Sequence, residues 1–434
     1  MKQPPLIQLK GVSKAFRATD GTPRTILEGV DLQLREREIV ALLGRSGSGK
    51  STLLRIIAGL IGADRGTVTY RGQPIHGPVG GVAMVFQTFA LFPWLTVQQN
   101  VELGLEAQGV SPAERERLAD AALELIGLSG FGGALPRELS GGMRQRVGIA
   151  RALVMNPEVL LMDEAFSALD VLTGETLRDD MLELWEEHRI TTRSILVVSH
   201  NIEETVMMAD RILILSSDPG RVRSELHIDL PRPRNADSEE VRALIDEVYA
   251  LMTQRPEAIA AAGAPPAVEL GYRLPDADIA RMESVLELIA GEPFNGEADL
   301  PHLAEETELP DEVLFPIYEA LGLLGFAQVV EGDIRLTRHG RNYVTARQAR
   351  RQDLFARQCK GRVSLIGYIL DSLHLEPAGL QEKTVLDRLT EYMDAEEAER
   401  VLKVAIEWGR YAELYEYDFH TRRLTLAREI IDEQ

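Results

Sequence analysis

A lysine and two hydroxyl residues close a glycine-rich run, GRSGSGKST, from Gly44 to Thr52. The run follows an apolar stretch, IVALL (39–43), and precedes a helix-like one, LLRIIAGL (53–60). Its spacing, G-x-x-x-x-G-K-[ST] between a strand and a helix, is that of a phosphate-binding loop. Gly44, Gly47 and Gly49 let backbone N–H groups turn inward around phosphates, with Ser46 and Ser48 set in the same cradle. The following helix points its positive end at the anion. Lys50 can reach the β and γ phosphates, the Ser51 hydroxyl can bind Mg2+, and Thr52 completes the loop. The other reading is a glycine-rich turn with a chance lysine, and the flanking strand and helix speak against it.

A second group of reactive residues stands at VLLMDEAF (159–166). Its apolar residues form a buried strand, with Asp163 and Glu164 at the C-terminal end, where α/β sheets place their ligands. Asp163 would hold Mg2+ through water, and Glu164 would take a proton from an attacking water as general base. By themselves the two acids could equally be a solvated strand end; downstream of a phosphate loop the catalytic reading is the stronger one.

LSGGMRQR (139–146) has a serine, a glycine pair and two arginines, but no base and no metal ligand. Serine ahead of a helix, which the sequence places as starting near Met143, is an ordinary helix cap. Bare glycine backbone at a helix N-terminus can also approach an anion closely. Both readings use the same N–H groups.

The chain resembles the ATP-binding-cassette (ABC) ATPases over about residues 6 to 235, with that family's motifs in its order. LSGGMRQR matches the family signature and lies ahead of the acidic strand. SALD (167–170) looks like the D-loop, Gln87 falls at the Q-loop, and His200, ending ILVVSH, falls at the switch histidine. Phe16, in GVSKAF, is similar to the aromatic that stacks on adenine; core packing is the alternative for a phenylalanine after a strand. The resemblance implies that two chains pair head to tail as a homodimer. Ser140, Gly141 and Gly142 of each then face the γ-phosphate held by the other, and Asp170 couples the two sites. It implies that Ser51, Gln87 and Asp163 approach Mg2+, and that His200 orients the water with Glu164. Ala165 departs from the proline that many relatives have there, at a position without phosphate contact.

TFALFPWLTVQQNVELGL (88–105) carries a dense apolar cluster of Phe89, Leu91, Phe92, Pro93 and Trp94. It reads either as a buried loop core or, by the resemblance, as the groove that receives a short helix of a membrane subunit. Together with VLTGETL (171–177) and residues 199–221, this cluster looks most like the importer ATPases for nitrate, sulfonate, taurine and bicarbonate. The function implied is ATP-driven closure of the cassette dimer, passed to transmembrane permease subunits that import a small anion. A periplasmic or extracellular substrate-binding protein would act indirectly. The expected place is peripheral, on the cytoplasmic face of the inner or plasma membrane.

Short apolar runs must position these groups: 39–44, 82–87, 159–164, 195–200 and 211–216 read as strands buried on both faces. The expected fold class is α/β: a P-loop NTPase cassette with a mixed sheet and a helical subdomain (about 88–155), followed by an α+β domain. The cassette spans 1–235. Residues 236–275 are read as a helix (241–252) and an alanine-, glycine- and proline-rich linker (258–275). In 276–434 a helix followed by a hairpin pattern occurs at 310–337 and again at 394–426. Two winged-helix-like units, about 276–345 and 363–430, are therefore expected.

The 434 residues fit two or three domains. A net charge of -21, of which roughly -14 falls in 276–434, disfavours a nucleic-acid partner. The single cysteine, Cys359, leaves no internal disulfide and fits a reducing cytosol. The start lacks the apolar core of a signal peptide, and no apolar run approaches ~20 residues. The alternative function is a soluble ABC ATPase whose winged-helix tail targets DNA or a regulatory protein.

Overall fold

A computed structural model of the protein describes residues 4–17, 23–45, 47–167, 169–217, 219–236, 238–253, 268–330, 332–376 and 379–427. Ser46 of the phosphate loop and linker residues 258–267 lie outside the described residues. The described residues form two compact units: 4–16 with 25–242, and 243–427 together with Arg17, Pro23 and Arg24.

The first unit opens with β1 (Ile7–Arg17), β2 (Pro23–Leu34), β3 (Glu38–Gly44), α1 (Lys50–Ile57), β4 (Arg65–Tyr70), β5 (Gln73–Pro74) and β6 (Val82–Val85). A helical part follows: α2 (Val97–Ala107), α3 (Pro112–Leu125) and α4 (Gly141–Leu153). The unit then continues through β7 (Val159–Asp163), α5 (Val171–Glu186), β8 (Ser194–Val198), α6 (Ile202–Met208), β9 (Arg211–Leu215) and β10 (Val222–His227). Helix α7 (Glu239–Thr253) contains the boundary between the units.

Six strands form one sheet in the order β10-β9-β3-β8-β7-β6; five run parallel and β10 is antiparallel at the edge. Every residue of β7, β8 and β9 is buried. Alternation along a strand sends successive side chains to opposite faces. Leu160, Met162, Ile195 and Val197 thus pack against the helical part with Val101, Val147 and Leu177. Val159, Leu161, Leu196 and Val198 pack on the other face with Leu9, Val30 and Leu53. That second face is covered in part by an antiparallel sheet, β2-β1-β4-β5.

Several elements differ from the sequence expectation at their ends. β6 stops at Val85 rather than Gln87, β7 at Asp163 rather than Glu164, and β8 at Val198 rather than His200. Helix α4 starts at Gly141, two residues before the expected Met143, because Ser140 caps it. Strand β10 is an addition: as an edge strand it has alternating half-buried and exposed residues and no apolar run.

The second unit repeats one order of elements. The first copy is α8 (Ile279–Ala290), β11 (Glu297–Asp299), α9 (Leu300–Thr307), α10 (Asp311–Leu323), β12 (Ala327–Val330) and β13 (Asp333–Leu336). After α11 (Arg338–Val344) and α12 (Gln348–Arg362) comes the second copy. It consists of α13 (Ser364–Leu375), β14 (Leu380–Gln381), α14 (Glu382–Leu389), α15 (Ala395–Tyr411), β15 (Tyr415–Asp418) and β16 (Arg423–Leu426). Each hairpin gains a third strand, giving β11-β13-β12 and β14-β16-β15. The added strands span only Glu297–Asp299 and Leu380–Gln381, too short to leave an alternating pattern in the sequence. Residues 268–275, read from sequence as the end of a linker, are tied down. The Val268 N–H donates to Arg362 O at 2.8 Å, Leu274 is buried, and Arg400 Nη1 donates to Leu274 O at 3.0 Å. Cys359 is buried, and burial pushes its thiol far up from the ordinary range.

Candidate nucleotide site

Because β3, β6, β7 and β8 run parallel, their C-terminal ends open on one edge of the sheet. β3 runs into the glycine loop. Gly49, the N-cap of α1, has φ 91°, and a Cβ there would lie 2.7 Å from Leu27 Cδ2. Only glycine fits that bend. Lys50 is buried, and its Nζ donates to Gly44 O at 2.6 Å and Arg45 O at 3.1 Å, so the ammonium is held across the loop's own backbone. Gly47 also has a positive φ, 77°. Ser48 is buried with its hydroxyl unpartnered, and Thr52 lies in the first turn of α1. A buried unpartnered hydroxyl beside a left-handed glycine backbone suits a cradle for an oxygen-rich anion.

Ser51 Oγ donates to Asp163 Oδ1 at 3.0 Å. Burial pushes the Asp163 carboxyl up from its ordinary range; the Ser51 hydrogen bond opposes this. A hydroxyl and a carboxylate side by side are the hard oxygen donors that Mg2+ takes, so these residues fit that ion.

Glu164 adopts φ 47°, a left-handed conformation unusual for glutamate, while its N–H donates to Val198 O at 2.9 Å. The bend ends β7 and brings together residues from separate strands. Gln87 Nε2 donates to Glu164 Oε2 at 2.7 Å, and His200 Nδ1 lies 3.6 Å from the same oxygen. His200 holds the Glu164 carboxyl below the ordinary range, against the effect of burial. The carboxylate is therefore ionised and able to accept a proton at neutral pH.

Ser140 is exposed, and its Oγ accepts the Met143 N–H at 3.2 Å. The two glycines behind it differ. A Cβ on Gly142 would sit 2.4 Å from Thr173 Cγ2, whereas one on Gly141 would meet only Leu169 Cδ2, at 3.7 Å. Gly142 is thus required within the chain, by α5. Asp170 caps α5, its Oδ1 accepting the Thr173 N–H at 3.1 Å, and the contact with Thr173 holds the Asp170 carboxyl below its ordinary range. Phe16 is 44% exposed, with the Lys14 ammonium 5.4 Å from its ring centre, so it is not a core residue.

The 89–94 cluster divides. Leu91 packs on the core beside the helical part, and the Phe89 ring is half-buried with the Arg144 guanidinium 5.3 Å from its centre. Phe92 and Trp94 are 42% and 72% exposed with ring centres 5.4 Å apart, and Pro93 is exposed between them. Sequence reading missed what shapes this loop. Buried Asn100 accepts the Phe92 N–H at 2.8 Å and donates to Phe92 O, Leu95 O and Thr96 O, while Arg151 donates to Phe89 O and Ala90 O. An asparagine on the apolar face of α2 was the available signal. Glu204 was also missed: on α6, beyond His200, its carboxyl is pushed up to about 7 by burial.

A glycine cradle, paired acids and a capped glycine helix on this sheet and helical part define an ABC-type ATPase that binds ATP. Residues 27–167 match the family model described as ABC transporter, and residues 301–418 match that of the C-terminal AAA-associated domain. The nitrate import ATP-binding protein NrtD of Synechocystis is 44% identical over 267 residues, covering 58% of this chain and 99% of that protein. The taurine import ATP-binding protein TauB of Mesorhizobium japonicum is 45% identical over 225 residues, covering 52% of this chain and 86% of that protein. The bicarbonate transport ATP-binding protein CmpC of Synechocystis is 41% identical over 231 residues, covering 52% of this chain and 34% of that protein. The chain belongs to the ABC transporter ATP-binding family and carries an AAA-associated domain after its cassette.

Proposed function

We propose that the chain is the ATP-hydrolysing subunit of an ABC importer for a small anion of the nitrate, sulfonate, taurine or bicarbonate class. The observation that carries the reading is the convergence of Gln87, Glu164 and His200 beside the Ser51–Asp163 pair on one sheet edge. Gly44, Gly47, Ser48, Gly49, Lys50 and Thr52 bind the phosphates, and Phe16 stacks on the adenine. Ser46 would share the cradle. Ser51, Asp163 and Gln87 would hold one Mg2+, which supplies charge neutralisation on the phosphates when bound. Glu164 takes the proton of the attacking water, and His200 keeps that carboxylate and the water in line. Positioning of the water and a base of this kind are worth on the order of 100- to 10,000-fold in rate.

Closure follows from where the remaining donors sit. Ser140 is exposed and Gly141 half-buried, and among the described residues neither hydrogen-bonds the glycine loop of its own chain. We read them as donors to the γ-phosphate of a second copy, with Asp170 beside them at the same interface. Binding of two ATP molecules then favours the closed dimer, and hydrolysis releases it. The exposed Phe92–Pro93–Trp94 edge is read as the seat of a permease helix. Among the described residues no helix is long and apolar enough to cross a membrane, so attachment to the cytoplasmic face would come through that partner. The test is ATPase activity of the chain reconstituted with its permease and with binding proteins loaded with nitrate, taurine or bicarbonate. Stimulation by one of them is expected; stimulation by none sinks the anion-importer reading.

A further inference from the structure

Two arginines in the segment that leaves the cassette, DLPRPRNA (229–236), grip the helix that follows His200. Helix α6 is short, and the carbonyls of its last turn have no partner within the helix. Arg234, 8% exposed, supplies one: its Nη1 donates to Val206 O and to Ala209 O, the latter at 2.7 Å. Its Nε and Nη2 donate to Leu230 O at 3.1 and 2.9 Å, locking the guanidinium onto its own segment. Arg232 Nη1 donates to Met208 O at 2.8 Å and to Asp210 Oδ1 at 2.7 Å, and its Nε donates to Glu186 Oε1 at 2.7 Å. The other oxygen of Asp210 accepts the Ile39 N–H at 2.8 Å, at the start of the strand that leads into the glycine loop.

The opposite end of α6 adjoins the candidate catalytic group. Asn201 caps the helix by accepting the Glu204 N–H at 2.9 Å, and its own N–H donates to Ser199 Oγ at 3.1 Å. His200 lies between these two residues. Ile202, Val206 and Met208 are buried, so α6 is a short packed rod rather than a free turn. A cation at a helix C-terminus is favourable, and the fixed fork of a guanidinium spans carbonyls on two segments that lie farther apart than one ammonium nitrogen reaches. Burial, with Arg232 adding to it, draws the Arg234 guanidinium down to about 10, still protonated at neutral pH, so the grip persists under working conditions.

We propose that Arg232 and Arg234 are positioning residues for ATP hydrolysis: by clamping the C-terminal end of α6 they fix His200 at its distance from Glu164. The proposal rests on the roles given above to His200 and Glu164. Neither arginine touches nucleotide; they act through the helix. Small displacements of a positioned group cost rate without costing substrate affinity.

The experiment is steady-state ATPase kinetics of the full chain carrying Arg234→Lys or Arg232→Gln, alone and combined with His200→Ala, with thermal melting of each. Arg234→Lys is expected to lower kcat on the order of 10- to 100-fold while leaving KM for ATP within about twofold. In the His200→Ala background it should cause no further loss. A wild-type kcat in the folded variants, a matching rise in KM, or losses that multiply with His200→Ala would each overturn the proposal. Failure of both arginine variants to fold would also overturn it, marking the pair as structural. Unchanged kcat in His200→Ala alone would instead remove the role assigned to His200, and the clamp's function with it.

Discussion

Gln87 donates a 2.7 Å hydrogen bond to Glu164, although the two lie 77 residues apart. The amide belongs to the loop that runs directly into Phe89–Trp94, and the carboxylate is the candidate general base. One hydrogen bond therefore connects the segment that carries the apolar surface to the candidate general base. A helix pressing on Phe92 and Trp94 would reach the candidate general base through a few residues of backbone and this one hydrogen bond.

Glu164→Gln keeps the size of the side chain and removes its basicity. Hydrolysis should fall on the order of 100- to 10,000-fold. The variant should accumulate as an ATP-bound dimer in sedimentation velocity. Monomers alone at saturating ATP would count against both the base and the paired-cassette reading.

The two signature glycines should respond differently to alanine. Gly142→Ala drives a Cβ to 2.4 Å from Thr173 Cγ2 and should cost about 1–3 kcal/mol of stability, relieved by Thr173→Ser. Gly141→Ala meets nothing closer than 3.7 Å and should leave the melting temperature unchanged while lowering ATPase activity, because the methyl blocks close approach of a phosphate from the second copy. Full activity in a folded Gly141→Ala chain would remove this glycine from the site.

Glu204 predicts a pH dependence. Burial raises its carboxyl to about 7 in the folded chain, well above the ordinary glutamate range. A raised folded pKa means stability is full below the unfolded value and declines as pH climbs through the folded one. Between about pH 5 and 8 the wild type should therefore lose on the order of 1–3 kcal/mol relative to Glu204→Gln. Denaturant titrations of both chains at the two pH values check this; parallel pH profiles would refute it.

Trp94 is 72% exposed, so Trp94→Ala should leave folding and ATP affinity intact. In reconstituted vesicles it should reduce solute uptake per ATP hydrolysed. Unaltered transport would move the permease contact elsewhere.

Three basic residues of α12, Arg350, Arg351 and Arg357, are paired with carboxylates of the same chain. Arg350 and Arg357 pair with Asp353, and Arg351 pairs with Glu287. Phosphate contact would have to break these pairs in a unit that is already acidic.

The sequence by itself determined the phosphate loop, the acidic strand end and the capped glycine helix. Each is a local device in which residues a few positions apart share a turn, so their spacing is the geometry. It also determined the fully buried strands β7, β8 and β9, because a strand covered on both faces must be apolar throughout; β6, read the same way, lies at the sheet edge and is only half-buried over Val82–Met84. It could not show which loop residues meet. The Gln87–Glu164–His200 contact exists because parallel strands bring distant chain segments to one edge, while the packing of Gly142 on Thr173 and the grip of Arg234 on α6 across 28 residues are set by helix packing away from that edge. Edge strand β10 and the short strands β11 and β14 were equally hidden, since pairing with a neighbour, rather than any apolar pattern of their own, makes them strands.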